Sequence, residues 1–147
     1  VIILVNKCDL IQNMNDEGKL IKTQILNKIA PFDDVPIMFI SVLNKQRVLK
    51  AVKEAINVYN RLYTRISTSK LNDFILDVIN HNPPPSVKGK RIKIKYVTQL
   101  PTKKPSFAFF CNLPQYIKES YKRFIENKLR NEFDFEGVPI QLFFRKK

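Results

Sequence analysis

The chain of 147 residues is 44% apolar, 27% charged and 11% aromatic, a globular composition with room for one domain or two small ones. No apolar stretch approaches the roughly 20 residues of a membrane span and no signal-peptide pattern is present, so no membrane partner is expected, and the expected location is a bacterial cytoplasm or an organelle interior. Net charge is +13, with nine Lys+Arg against six Asp+Glu in residues 1–64 and seventeen against seven in residues 65–147, so the second part holds most of the field that draws a polyanion.

Val1-Ile2-Ile3-Leu4-Val5 is an apolar run ending abruptly in Asn6-Lys7-Cys8-Asp9. Such a run predicts a buried parallel strand, and ligands of open α/β sheets sit beyond the carboxyl ends of those strands. A carboxylate at Asp9 can accept two hydrogen bonds from guanine, one from N1–H and one from the exocyclic amino group. Adenine lacks those donors and would leave the carboxylate unpaired. Asn6 can donate to base acceptors and tie neighbouring loops together, while the stem of Lys7 can lie over the base. The run resembles the N-K-x-D guanine-specificity motif of the translation-factor-related GTPases. A polar strand end with no ligand is the plainer alternative.

Glu17 to Ile29 has helical spacing, with Leu20, Ile21, Ile25 and Ile29 on one stripe, and Pro31 with Asp33-Asp34 breaks it. Pro36 to Ile40 is a second apolar run, followed by Ser41-Val42-Leu43. This resembles the last guanine-binding element of the same GTPases, usually Ser-Ala-Leu or Ser-Ala-Lys. There the serine steadies the aspartate and the next backbone N–H points at the base oxygen; Val42 departs from the usual alanine. Arg47 to Tyr63 is a second amphipathic helix, with Val48, Val52, Ala55, Ile56, Tyr59 and Leu62 recurring at three and four. The β-α-β-α order is that of a doubly wound sheet.

A GTPase also needs a Gly-x-x-x-x-Gly-Lys-Ser/Thr phosphate loop and an Asp-x-x-Gly switch. Gly18, Gly89 and Gly137 never have the loop spacing. Asp134-Phe135-Glu136-Gly137 matches Asp-x-x-Gly, but downstream of the base-reading motifs and after a helix, the wrong order and context. The P-loop and switches are therefore expected upstream of Val1, and the 147-residue chain alone is expected to hydrolyse no GTP. Cys8 and Cys111 make neither a disulfide framework nor a zinc site, and the lone His81 is expected to pack or cap.

Thr64 to Thr68 reads as a junction, with Ser67 or Thr68 as N-cap. Leu71, Phe74, Ile75, Val78 and Ile79 mark a helix ending near Asn80-His81-Asn82, and Pro83-Pro84-Pro85 cannot continue it. Lys88 to Lys95 holds five basic side chains; Arg91, Lys93 and Lys95 alternate with Ile92, Ile94 and Tyr96, predicting a half-buried strand with a basic face. Phe107 to Leu113 is a more apolar strand. Pro114 opens a helix striped by Ile117, Tyr121, Phe124, Ile125 and Leu129, Glu136-Gly137 turns the chain, and Pro139 to Phe144 closes the sheet before Arg145-Lys146-Lys147. The whole is expected to be α/β: the C-terminal portion of a P-loop GTPase doubly wound sheet over 1–64, then a KH-like α+β domain over 65–147, a three-stranded sheet with helices on one face.

Residues 65–147 are similar to the C-terminal KH-like domain of the Der/EngA family of GTPases. The likeness is carried by His81 to Pro85, Lys88-Gly89-Lys90-Arg91 to Ile94, Tyr96 to Gln99, Phe107 to Pro114, Tyr121 with Arg123, Glu126 to Arg130, Phe133 to Ile140 and the Phe143-to-Lys147 ending. The resemblance implies two GTPase domains in tandem before the module, GTP/GDP as ligand with Mg²⁺ held by residues upstream, and a role in assembly of the large ribosomal subunit with its rRNA as partner. Guanine would be read by Asn6, Lys7, Asp9, Ser41, Val42 and Leu43.

No Gly-x-x-Gly clamp is present, so base reading in the KH manner is not expected. Lys88, Lys90, Arg91, Lys93, Lys95, Arg145, Lys146 and Lys147 are the candidates to meet phosphate, which would add salt-dependent, sequence-independent affinity for RNA; no DNA partner is expected. The alternatives are a solvated face, or a face docking on a GTPase domain of the same chain. Phe107, Phe109, Phe110, Phe143 and Phe144 are expected in the core. A non-enzymatic RNA- or protein-binding module with a vestigial GTPase segment is the competing functional reading.

Overall fold

Two parallel strands open the chain. The computed structural model describes every residue except Pro31 and Lys88, so the helix-breaking expected of Pro31 and the phosphate contact expected of Lys88 lie outside the described residues. The described chain forms two units, Val1–Arg61 with Glu136–Pro139, and Leu62–Phe135 with Ile140–Lys147.

In the first unit, β1 (Ile3–Val5) pairs in parallel with β2 (Ile37–Phe39), Ile3 opposite Ile37 and Val5 opposite Phe39. α1 (Glu17–Ile29) makes the crossover and α2 (Val48–Leu62) follows. The parallel pairing matches the sequence reading, but the burial does not. Leu4 is 46% exposed, because β1 has a single paired neighbour among the described residues. On α1, Leu20 faces solvent and Gly18 is buried. α2 buries Ala51 and Val58, and the stripe expected inside, Val52, Ile56 and Tyr59, is exposed together with Leu49.

The second unit runs α3 (Thr68–His81), β3 (Ile94–Leu100), β4 (Ser106–Cys111), α4 (Glu119–Glu132), β5 (Gln141–Lys146). The sheet order is β3-β4-β5, antiparallel then parallel, with α4 as the parallel crossover. Ser67 caps α3 by accepting from the Lys70 N–H. Leu71, Ile75 and Ile79 of α3 meet Tyr121, Ile125 and Leu129 of α4 over Val97, Phe107 and Phe109 in one core. Both helices therefore share that core on the sheet's inner face.

Two elements start later than their sequence suggests. β3 begins at Ile94, although the basic–apolar alternation starts at Arg91, and a bulge at Lys95 shifts the inward phase from Ile92 and Ile94 to Val97. Pro114 opens only a short 3-10 turn to Tyr116, and α4 waits until Glu119. Ile117 is extended and 7% exposed, so the chain leaves helical geometry where its side chain reaches the core.

Three side-chain amides finish backbone that the sheet leaves unpaired. Asn72 accepts from Val97 N–H and donates to Val97 C=O, both at 2.8 Å. Gln99 likewise takes Ile66 N–H and Thr64 C=O, and Asn112 takes Lys93 N–H and Arg91 C=O. β3 is an edge strand, and the Asn72 amide stands in for a neighbour at Val97, while Gln99 and Asn112 close backbone groups outside the strand. Asn72→Leu is expected to lose about 2–3 kcal/mol of stability, since both Val97 groups lose their partner; urea denaturation reads it.

Tyr121 donates to the Asn82 carbonyl at 2.8 Å, and burial pushes its phenol up to about 12. Burial raises the Cys111 thiol as well. In the unfolded chain tyrosine ionises near pH 10, so between about pH 10 and 12 only the unfolded state sheds that proton and stability falls as pH rises. Tyr121→Phe should flatten this alkaline loss in a pH series of melting curves.

Candidate guanine and polyanion sites

The base-reading residues sit where both parallel strands end. Lys7 turns the chain with a left-handed backbone, φ 62°, and Cys8–Leu10 form one 3-10 turn. Cys8, the free position of the four, is the anchor: it is buried, its N–H donates to the Ile40 carbonyl at 3.0 Å, and its sulfur lies 3.6 Å from Gln46 Oε1. With Cys8 turned inward, Asn6, Lys7 and Asp9 are exposed, and the Asp9 carboxylate has no partner among the described residues.

Asn6 Oδ1 accepts from the Val42 N–H at 3.2 Å, joining the two loops across 36 positions of sequence. Ser41 is fully buried and pairs with Gln46 in both directions, 3.1 and 2.8 Å. Its hydroxyl accepts from the Asn44 N–H at 3.3 Å, so it holds its own turn and makes no bond to Asp9. Val42 and Leu43 are exposed, at 56% and 86%. Lys45 and Arg47 close the turn in left-handed conformations, and Arg47 reaches the Phe39 carbonyl at 3.4 Å.

The basic candidates gather at one end of the second unit's sheet. Lys90, Arg91, Lys93, Lys95, Arg145, Lys146 and Lys147 are all exposed. The end of β4 joins the two runs: Asn112 N–H donates to the Lys93 carbonyl, and Lys147 N–H donates to that of Cys111. Phe107 and Phe109 are fully buried, and Phe144 packs against the same core. Phe110 and Phe143 do not belong there, contrary to the sequence reading. Strand alternation puts them on the outer face, where Phe110 stacks on Tyr96 and Phe143 is 40% exposed.

The family described as KH-domain-like of EngA bacterial GTPase enzymes, C-terminal, matches residues 65–145. The chain belongs to that family. Proteins named GTPase Der align along all of it: 56% identity over 147 residues in both Christiangramia forsetii and Cytophaga hutchinsonii, and 51% over 149 residues in Bacteroides fragilis. In each the match takes up 34% of the relative, so the chain spans about a third of the length of the curated relatives it matches.

Among EngA-type features, the family match covers the module with the basic residues, while Asn6, Asp9 and Ser41 lie outside it, within the full-length alignments. Gln46 and Asn44 also hold the two loops, although no sequence motif marks them. Neither carries a signal on its own, since Gln46 acts on the Ser41 backbone and the Cys8 sulfur and Asn44 acts only through its backbone N–H on the Ser41 hydroxyl. No helix is long and apolar enough to cross a membrane among the described residues.

Proposed function

We propose that the chain supplies the guanine-selecting loops and KH-like module of a GTP-binding, GTP-hydrolysing factor in large-ribosomal-subunit assembly. The observation carrying this reading is the Asn6–Val42 bond at the carboxyl ends of two parallel strands, beside the unpartnered Asp9 carboxylate. Asp9 accepts from N1–H and the 2-amino group of guanine. The amide nitrogen of Asn6 donates to a ring acceptor, and the Lys7 stem covers the base plane. The buried Cys8 and Ser41 keep the two loops in place as the ligand comes and goes.

Guanine nucleotide fits these residues, and Mg²⁺ in nucleotide sites is held mainly by phosphate oxygens, water and one or two side chains. Phosphate and Mg²⁺ binding fall in this reading to residues beyond the chain, and the 147-residue polypeptide is expected to show no GTP turnover in a phosphate-release assay. The exposed basic runs meet rRNA phosphates, or a GTPase domain of the same protein in another nucleotide state.

Sedimentation of the full-length protein with purified large subunits tests the ribosomal part. Lys93→Ala with Lys95→Ala should weaken co-sedimentation and lower the log–log salt slope by about 1.4–1.8 if both side chains meet phosphate. An unchanged slope would mean a solvated face, and co-sedimentation equal to that of an unrelated basic protein would defeat the ribosomal role.

A further inference from the structure

We propose that the outer face of the three-stranded sheet is a stacking platform for single-stranded RNA, using ring faces where KH domains use a glycine loop. The proposal rests on the RNA-binding reading above and adds to it a site and a mode of contact. On β5 Phe143 and Arg145 are outward positions two apart, and Lys147 follows just past the strand's end. On β4 Phe110 lies opposite Arg145, and on β3 Tyr96 lies opposite Phe110. The Tyr96 and Phe110 rings stack at 4.5 Å and 17°.

Cations stand over these rings. Lys147 Nζ is 5.1 Å from the Tyr96 centroid, and the Arg145 guanidinium 5.9 Å from that of Phe143. Ala108, across from Phe143 on the same outer face, is fully buried, so the surrounding side chains form the surface there. Aromatic side chains away from the core, two of them with a long-stemmed cation beside the ring, answer the two halves of a nucleotide. The ring takes a base face, and the Lys or Arg swings to the phosphate.

Charge selects the occupant. The face belongs to the part of the chain with seventeen Lys+Arg against seven Asp+Glu, so a polyanion is favoured. A duplex offers phosphate but hides its base faces. Ring faces on the sheet's outer side add nothing for duplex RNA and much for a single strand. An acidic protein would use Arg145 and Lys147 but would be indifferent to whether residue 143 is aromatic or aliphatic.

The test is fluorescence anisotropy of the whole chain with a fluorescein-labelled, mixed-sequence single-stranded RNA, and with the same strand annealed to its complement. Phe143→Leu keeps apolar bulk and removes the π-face; Tyr96→Leu does the same at the other ring, and circular dichroism melts check that both fold. Each should weaken single-strand binding by about five- to tenfold, leave the salt slope unchanged and spare the duplex. Arg145→Gln should instead lower the slope by about 0.7. Single-strand affinity unchanged in both leucine variants overturns the platform and leaves RNA binding elsewhere on the chain intact. Equal loss on single strand and duplex also overturns it. No binding of either RNA by the unaltered chain would remove the RNA reading itself.

Discussion

Replacing Asp9 by asparagine is expected to move the protein's preference from guanine to xanthine nucleotides. Guanine shows Asp9 two donors, N1–H and the 2-amino group, and a carboxylate accepts both. Xanthine shows one donor and a 2-carbonyl acceptor, the complement of an amide that accepts at Oδ1 and donates at Nδ2. Hydrogen bonds to a charged group contribute about 1.5–3 kcal/mol each, so Asp9→Ala, which loses both, should weaken GDP by about 10²- to 10⁴-fold, whereas Asp9→Asn keeps the N1–H bond and sets its amide NH₂ against the 2-amino group. Asp9→Ala should lose GDP and gain nothing for XDP. Titration of the full-length protein with GDP, ADP and XDP reads all three. GDP binding as tight in Asp9→Asn as in the unaltered protein would mean that the base is not read here.

The geometry explains why a single side chain can weigh so much. Cys8 is tied inward through Ile40 and Gln46, and Lys7 takes a left-handed turn, so Asp9 leaves the strand on a short, fixed stem. Its carboxylate has no bond among the described residues to exchange for those of the base. In the proposed guanine site Val42 meets the base edge from the other loop. Its N–H is held by Asn6 at 3.2 Å, so a base oxygen must share or displace that bond. Val42→Ala, which removes two methyls from an exposed position, is expected to change GDP affinity less than threefold; the same titration checks it.

Much of this was legible because strand ends are abrupt. An apolar run that stops at Asn6 announces both the strand and its polar lip, and the periodicity of Glu17–Ile29 marks α1 to the residue. What the sequence hides is which partner a side chain finds. Asn72, Gln99 and Asn112 look like surface polar residues, yet each closes two backbone groups of another segment. Val52 and Ile56 have core spacing but face outward, because spacing shows that a helix has an apolar side and not that anything covers it. Phe143 and Phe144 are adjacent and identical in type, so hydrophobicity alone cannot separate them. Strand parity does, once the strand's limits are known. The bulge at Lys95 defeats simple alternation in the same way, by inserting one residue into the count.

Two glycines with the same backbone angle should respond very differently to alanine. Gly89 has φ +72° and Gly137 has φ +75°, so a side chain at either meets the left-handed penalty of about 1–2 kcal/mol. Around Gly89 nothing lies within 4 Å of an added Cβ, and the loss should stop there. At Gly137 the new carbon would come within 2.6 Å of the Val1 carbonyl oxygen, 2.9 Å of Val58 Cγ2 and 3.0 Å of Pro36 Cδ. The first of these is backbone, which cannot rotate aside. The segment is also pinned, by Gly137 N–H to the Asp34 carbonyl at 2.9 Å and by Arg61 to the Glu136 carboxylate at 3.5 Å. Overpacking therefore adds about 1–3 kcal/mol to the backbone term, and Gly137→Ala should lose about 2–5 kcal/mol where Gly89→Ala loses about 1–2. Urea denaturation of the two variants side by side separates the effects. Equal losses would mean that Gly137 is needed only for its turn, and that Glu136–Pro139 moves away from Val1 and Val58 at little cost.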